Sequence, residues 1–578
     1  MRYGERRLHP GVYEMQEQLR RGRCDRREFL RTVCLLGVSA SAAYAMAGRI
    51  LGERLVDPVA AQAAKQPCRG GILRVSMEVP EIRDPATFDW VQKSNCTRHM
   101  LEYLTYTGPD GVTRPYLAER WEASEDLKTW TFYLRRGVKW SNGDTFNADD
   151  VVFNFTRWLD PKTGSSNLGL FSAMTEEYDT GEKNPDGTPK KGRRMLAGAV
   201  EKVDEFTVRL HLSRPSLSIP ENLWNYPTAI VHRGFDEHGS DIFKWPVGTG
   251  PYSIADYAVG AKCILKRRPG TYWGETLDDP YIGGPIWLDE IHYYDHGAAS
   301  AAQLAAFASG QVDMVHEFGK DSYQMAQAIP GAVVYDARTA HTCVMRMQVD
   351  VKPFDDWRVR RAIQLCCDAS VYPDLIYFGR GMVGEHHHVA PIHPEYFKLP
   401  PLKQDHEQAR KLLAEAGYGN GLTISIDCGN TNGPWQQQMA ELFREQLRPA
   451  GITLNINVMP PSQYWEIWTK TPFGVTEWYH RPLGTMVLSL AYRCGVPWNE
   501  SHYCNPDFEA ALDAAEATLD VEQRRRLMEK VESILQHDAV IVQPLWIPRL
   551  YAAHQRVRNL VPDPSGYHLF HRVWIDAC

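Results

Sequence analysis

Apolar and polar positions change period several times along this chain, and each change marks an element. Gly70 to Met77 alternates with a period of two and predicts a short strand. Between Leu117 and Phe155 the pattern reads strand, turn, strand, turn, helix. Thr129 to Leu134 is rich in β-formers, Asn142-Gly143 predicts a turn, and Ala148-Asp149-Asp150 opens a helix with Val151, Val152, Phe155 and Trp158 on one face. The segment Thr175 to Arg194, rich in Gly, Lys, Asp and Pro, predicts a polar surface insertion. Further on, Asp405 and Gln408 predict a capping box ahead of Ala409, Leu412, Leu413 and Ala416, with Gly417 as the stop. A strand at Leu422-Ile424-Ile426, a helix from Trp435 to Leu447 and a strand at Ile452-Leu454-Ile456-Val458 make a βαβ crossover, so part of a sheet is parallel. Asp520 and Gln523 cap a helix ending near His537, and a strand is expected from Ile541 to Trp546.

The first 65 residues have a different pattern. Arg26-Arg27-Glu28-Phe29-Leu30-Arg31 precedes an uncharged run from Thr32 to Gly48 that Arg49 closes. The run is shorter than the roughly 20 strongly apolar residues that span a bilayer, and Gly37, Ser39 and Ser41 interrupt it. The arginine pair with Phe29 and Leu30 resembles the twin-arginine export signal, whose machinery moves folded proteins. Ala45-Met46-Ala47 and Ala61-Gln62-Ala63 are candidate cleavage points. The residues before Cys34, Arg31-Thr32-Val33, do not fit a lipid-attachment motif.

Composition narrows the picture. At 578 residues, with 43% apolar and 23% charged, the chain has surface to bury in two to four lobes. A formal charge of −7 gives no general attraction for nucleic acid or anionic membrane. None of the 12 cysteines forms C-x-x-C, which argues against a zinc ribbon or thioredoxin-type site. In an oxidising compartment Cys494 and Cys504, flanking Gly495 and Pro497, are the expected disulfide, and Cys366-Cys367 are expected as buried small hydrophobes.

Catalytic arrangements are missing from the sequence. There is no G-x-x-x-x-G-K-[ST], no G-x-S-x-G and no H-E-x-x-H; His316-Glu317 and His406-Glu407 lack the second histidine. Asp149-Asp150 and Asp355-Asp356 stand at helix starts, where carboxylates answer free N–H groups. The stretch from Gly384 to Pro394 holds His386, His387, His388, His393 and Glu385. If extended, it places His386 and His388 on one face, and with Glu385 or His393 they are a donor set adequate for zinc or nickel; contact with an organic ligand and plain packing are also open.

Leu117 to Phe153 closely resembles extracytoplasmic solute-binding proteins of the peptide/nickel family that serve ATP-binding-cassette importers, and the likeness recurs in order at Val247 to Tyr252, Tyr272-Trp273-Gly274, Leu304 to Asp313 and Pro353 to Ala362. It covers about residues 68–575. The resemblance implies an α/β, two-lobed clamshell with mixed sheets and a hinge: leader 1–65, lobe I 68–342 with a subdomain near 101–243, lobe II 343–547, and a return to lobe I over 548–578. It implies a monomeric, non-enzymatic, periplasmic protein without a cofactor, which closes around a peptide-like or carboxylated small organic solute and delivers it to permease subunits and their ATPases.

In that family a Gly-Trp followed by an Asp lines the cleft and meets a peptide's ammonium. Here Trp478 matches, but His480 and Arg481 stand near the acid's place, which exchanges attraction for ammonium for a fork suited to carboxylate or phosphate. The expected ligand contacts are Trp478, Tyr479, His480, Arg481, Trp498, the run His386, His387 and His388, and Glu81, with Trp465 as a further aromatic wall; Glu81, Asp84 or Glu385 is the substitute acid for an amine. Two alternatives stand beside this reading. One is metal, metal-chelate or haem binding on the same fold, with His386, His388 and His393 as ligands; the other is an exported enzyme carrying a cofactor.

Overall fold

In the computed structural model, which describes residues 8–52, 67–183 and 189–576, a sheet of 12 strands runs through the body of the molecule. Its centre is two long antiparallel neighbours, Ala332–Met347 and Leu545–His554. To one side lie Met314–Val315, Ile72–Ser76, Glu290–Tyr294 and the hairpin of Lys262–Arg267 with Tyr252–Ala258; to the other lie Phe473–Trp478, Leu422–Cys428 and Ile452–Val458. The expected crossover is present: Leu422–Cys428 and Ile452–Val458 pair in parallel, and Trp435–Leu447 buries Met439 and Phe443.

The two central strands change partners along their length. Residues 332–337 pair with 549–554; from residue 341 the same edge continues with 546–547 and 541–542, and residues 342–347 gain 473–478 on the opposite edge, in the other half of the sheet. Between them the register slips, from Ala337 to His341. Such a bulge bends a strand locally, so the sheet has a built-in flexure where its halves meet. The strand expected over Ile541–Trp546 is interrupted instead: Ile541–Val542 is separate, and Leu545 begins a strand that continues to His554. Pro544 explains the break, since it brings no N–H to the ladder.

Local signals set several boundaries. Asn147 and Asp150 form a reciprocal capping box on Ala148–Trp158, while Asp405 supplies only its half, accepting from the Gln408 N–H. Within the expected polar surface insertion, Thr175–Lys183 and Pro189–Met195 form an antiparallel hairpin, largely exposed, with Glu176 paired to Arg194 and Glu177 to Arg193 across the strands. Oppositely charged cross-strand partners stabilise a hairpin that has little apolar alternation to read. Cys494 and Cys504 are disulfide-bonded, and Cys366 and Cys367 are buried and free, as expected.

The segment read as a separate leader is folded against the body. Pro10–Arg20, Arg26–Leu35 and Ala40–Leu51 are three helices, so the uncharged run is two helices divided at Gly37. Gly37 has φ +90°, and a Cβ there would meet the Trp121 carbonyl oxygen at 2.7 Å. The middle helix buries every residue from Glu28 to Leu35. Val12, Met15, Phe29, Leu30 and Val33 join one apolar cluster with Trp121, Met528 and Val531. Of the two cleavage points, Ala45-Met46-Ala47 lies inside the third helix with Ala47 fully buried, and Ala61-Gln62-Ala63 lies outside the described residues. No described helix is long and apolar enough to cross a membrane.

Candidate functional site: the cleft around Arg481

Two cavities meet at Arg481, where the strand Phe473–Trp478 runs out of the sheet. The first is a narrow pocket lined by Trp90, Tyr226, Trp465, Trp468, Trp478 and Trp498, with Asp89, Glu477, Tyr479 and Arg481 as its polar contribution. Its rings brace one another: centroids lie 5.8 Å apart for Trp478 and Trp498, 6.1 Å for Trp468 and Trp498, and 5.8 Å for Tyr226 and Trp498. The second, equally narrow, includes Arg27, Glu221, Trp224, His480, Arg481 and Tyr567 in its lining. Both are walled by elements from the two halves of the sheet, so this is the cleft between them.

Arg481 is 2% exposed. Its Nη1 donates to the carbonyl oxygens of Tyr479 and His480, and its Nη2 to the Tyr226 hydroxyl at 3.2 Å, with the guanidinium over the Tyr226 ring. No described carboxylate lies within ion-pair distance of it, and its buried Nε–H has no hydrogen-bond acceptor. A buried guanidinium matched only to neutral oxygens is costly until an anion arrives.

The neighbours of Arg481 hold the wall. Trp478 Nε1 donates to Glu500, which also accepts from Thr476 and from Arg346 at 2.7 Å. The Cys494–Cys504 loop thereby sets Trp498 and Glu500 against Trp478. Tyr479 hydroxyl reaches Glu317 and accepts from Asn432, joining the two halves of the sheet. Behind it His341 lies between Glu477, at 3.0 Å, and Glu317, at 3.7 Å. Burial lifts the Glu477 carboxyl to about 8, raises Glu317 also, and lowers His341 to about 4. His480 lines the second cavity, and its Nδ1 accepts from Ala340 N–H inside the register slip, satisfying a donor the ladder leaves free.

The histidine run stands elsewhere. His386 and His388 have φ of +59° and +60°, so the stretch is not extended and their rings do not share a face. His386 Nδ1 accepts from Gln543 N–H, while His388 bonds the Tyr492 hydroxyl and packs edge-on against Trp478. His387 sits near Glu385 and Glu532, and His393 lies between Ala390 N–H and the Arg481 carbonyl oxygen. All four are buried, none lines either cavity, and desolvation holds His386 at about 3 and His393 at about 4. His388 backs Trp478 in the aromatic wall, and His393 braces the Arg481 backbone. Among the described residues no group of three or more His, Cys, Asp or Glu side chains is disposed to hold a metal ion.

The expected substitute acids are also elsewhere. Glu81 is an exposed partner of Arg83, Asp84 pairs with Arg157, and Glu385 accepts from the Tyr396 hydroxyl. The acids actually at the aromatic cavity are Asp89 and Glu477. Trp90, Tyr226, Trp468, Trp224 and Tyr567 line the cavities without having been expected there. Dense aromatics between turn-forming prolines, as in Trp224-Asn225-Tyr226-Pro227, were the available signal.

Residues 113–486 match the model of bacterial extracellular solute-binding proteins, family 5. The chain belongs to that family. The periplasmic oligopeptide-binding protein OppA of Haemophilus influenzae is 28% identical over 499 residues, covering 80% of this chain and 85% of that one. The family 5 fold appears equally in solved structures. AgaA of A. tumefaciens R10, in complex with agropinic acid, superposes with a TM-score of 0.75 at 22% identity over 88% of this chain and 99% of that one. DppA of Helicobacter pylori, in complex with the peptide STSA, gives 0.74 at 21% identity over 88% and 99%. The fold is thus the two-lobed α/β clamshell of family 5.

Proposed function

We propose that this family 5 protein captures a peptide-like or carboxylated small organic solute at Arg481 and delivers it to the permease of an ATP-binding-cassette importer. The observation that carries the reading is the buried guanidinium of Arg481, with an unanswered N–H and no carboxylate partner, opening onto an aromatic cavity. A planar fork in a dry site recognises a carboxylate in two-point fashion, and the tryptophans around it suit the apolar body of such a solute. Relatives named for oligopeptides and a fold neighbour holding agropinic acid support that class. Solute contacts with both lobes make closure favourable, and the closed form is what the permease reads.

The lobes of this reading are 68–342 and 343–547, with the chain from 548 returning to the first; the register slip after Ala337 and the new pairing with 473–478 that begins at Thr342 support that division. The protein works in the periplasm as a monomer, without bond-making. Its export by the twin-arginine machinery is supported by Arg26 and Arg27, both exposed on the docked helix.

A thermal-shift screen with short peptides and carboxylated solutes tests the site. A ligand that raises Tm should lose most of its effect with Arg481→Ala and on amidation of its carboxylate. Equal binding of the amidated form, or an undiminished shift in Arg481→Ala, refutes the carboxylate assignment.

A further inference from the structure

The N-terminal helices touch both lobes through a buried chain of charges. Glu28 accepts from Arg31 at 2.9 Å and from Arg524 of lobe II at 2.5 Å, and Arg31 also donates to Glu221 of lobe I at 3.0 Å. None of these four side chains is more than 5% exposed. Burial alone would raise the Glu28 carboxyl, yet the two arginines hold it down at about 2. Other contacts fall on the same two sides. Gln18 donates to Asp520 at 2.7 Å; on lobe I, Tyr44 donates to Asp110 at 2.9 Å and Trp121 Nε1 to the Leu35 carbonyl oxygen at 2.7 Å. Arg27, on the middle helix, lines the second cavity together with His480 and Arg481.

We infer that residues 10–51 are an intramolecular clasp: docked across both lobes, they keep the clamshell shut and narrow one mouth of the cleft, so solute loads when the clasp is released. An element that binds only the closed arrangement shifts the equilibrium toward it, as any ligand would. A chain moved across a membrane in folded form would then travel with its solute site closed. The inference rests on the cleft being the solute site.

The test places a protease recognition sequence between Gly52 and Pro67 of the full chain and uses acrylamide, a neutral quencher, as the probe of the tryptophan-lined cavity. In the intact chain, amides of residues 26–35 should resist hydrogen exchange. After cleavage and removal of the fragment, tryptophan quenching should rise about twofold, and exchange at 224–226 and 478–481 should accelerate. Arg524→Gln, which loosens the clasp on lobe II alone, should move the uncut chain in the same direction. Unprotected helices in the intact chain overturn the inference, as do unchanged quenching and exchange once the fragment is gone. If the cleft opens on release yet no carboxylated solute binds, the solute reading fails and the clasp stands; equal solute affinity before and after release removes the clasp.

Discussion

Arg481 and Glu477 are four residues apart, and burial acts on them in opposite ways. The arginine is left short of a partner, while Glu477 becomes reluctant to ionise, its carboxyl rising to about 8. Since an unfolded glutamate ionises near 4.5, the stability contributed by protonated Glu477 is full below that value and lost as pH climbs toward 8. The buried histidines act from the other side. His341 and His393, lowered to about 4, and His386, lowered to about 3, contribute fully above 6.5 and lose that contribution as pH falls through those values. Tm should therefore peak in mildly acidic buffer and decline in both directions. Glu477→Gln should flatten the alkaline decline in a series of melts from acid to pH 9; an unchanged alkaline slope would show that Glu477 is ionised in the folded protein.

At the scale of elements, the turn at Gly37 decides whether the N-terminal helices can pack. Its left-handed backbone and its contact with the Trp121 carbonyl leave no room for a side chain. Gly37→Ala should cost about 1–3 kcal/mol, with hydrogen exchange accelerating across residues 26–51 and much less in the central sheet. Elements of this kind were only partly legible in the sequence. Helix starts such as Ala148 and the crossover from Leu422 to Val458 could be read because caps and periodicity are local. The helical docking of the leader could not, since the partners of Glu28 and Arg31 are about 500 and 190 residues away. The histidines misled for a similar reason. Alternation assumes extended backbone, and positive φ at His386 and His388 turns their rings toward Gln543 and Tyr492. Trp478 and Arg481 were found through the family resemblance, whereas Asp89, Trp90 and Tyr226 reach the cleft only through tertiary folding.

The whole molecule joins its cleft to its flexure through one side chain. His480 faces the second cavity and accepts the Ala340 N–H within the register slip, so it touches both cavity and bend. His480→Ala leaves that buried N–H unanswered, at a cost of about 1–3 kcal/mol, and should broaden the distribution of distances between labels on exposed faces of the two lobes. An unaltered distribution would mean that the slip is rigid without it. The two strands that cross between the lobes are immediate neighbours in a continuous sheet rather than separate tethers. Neighbouring strands resist sliding and in-plane rotation, because either would break their ladder, and yield most readily to bending out of the sheet. Opening is thereby reduced to nearly one degree of freedom, and a receptor at the membrane need sense only a single angle to tell a loaded protein from an empty one.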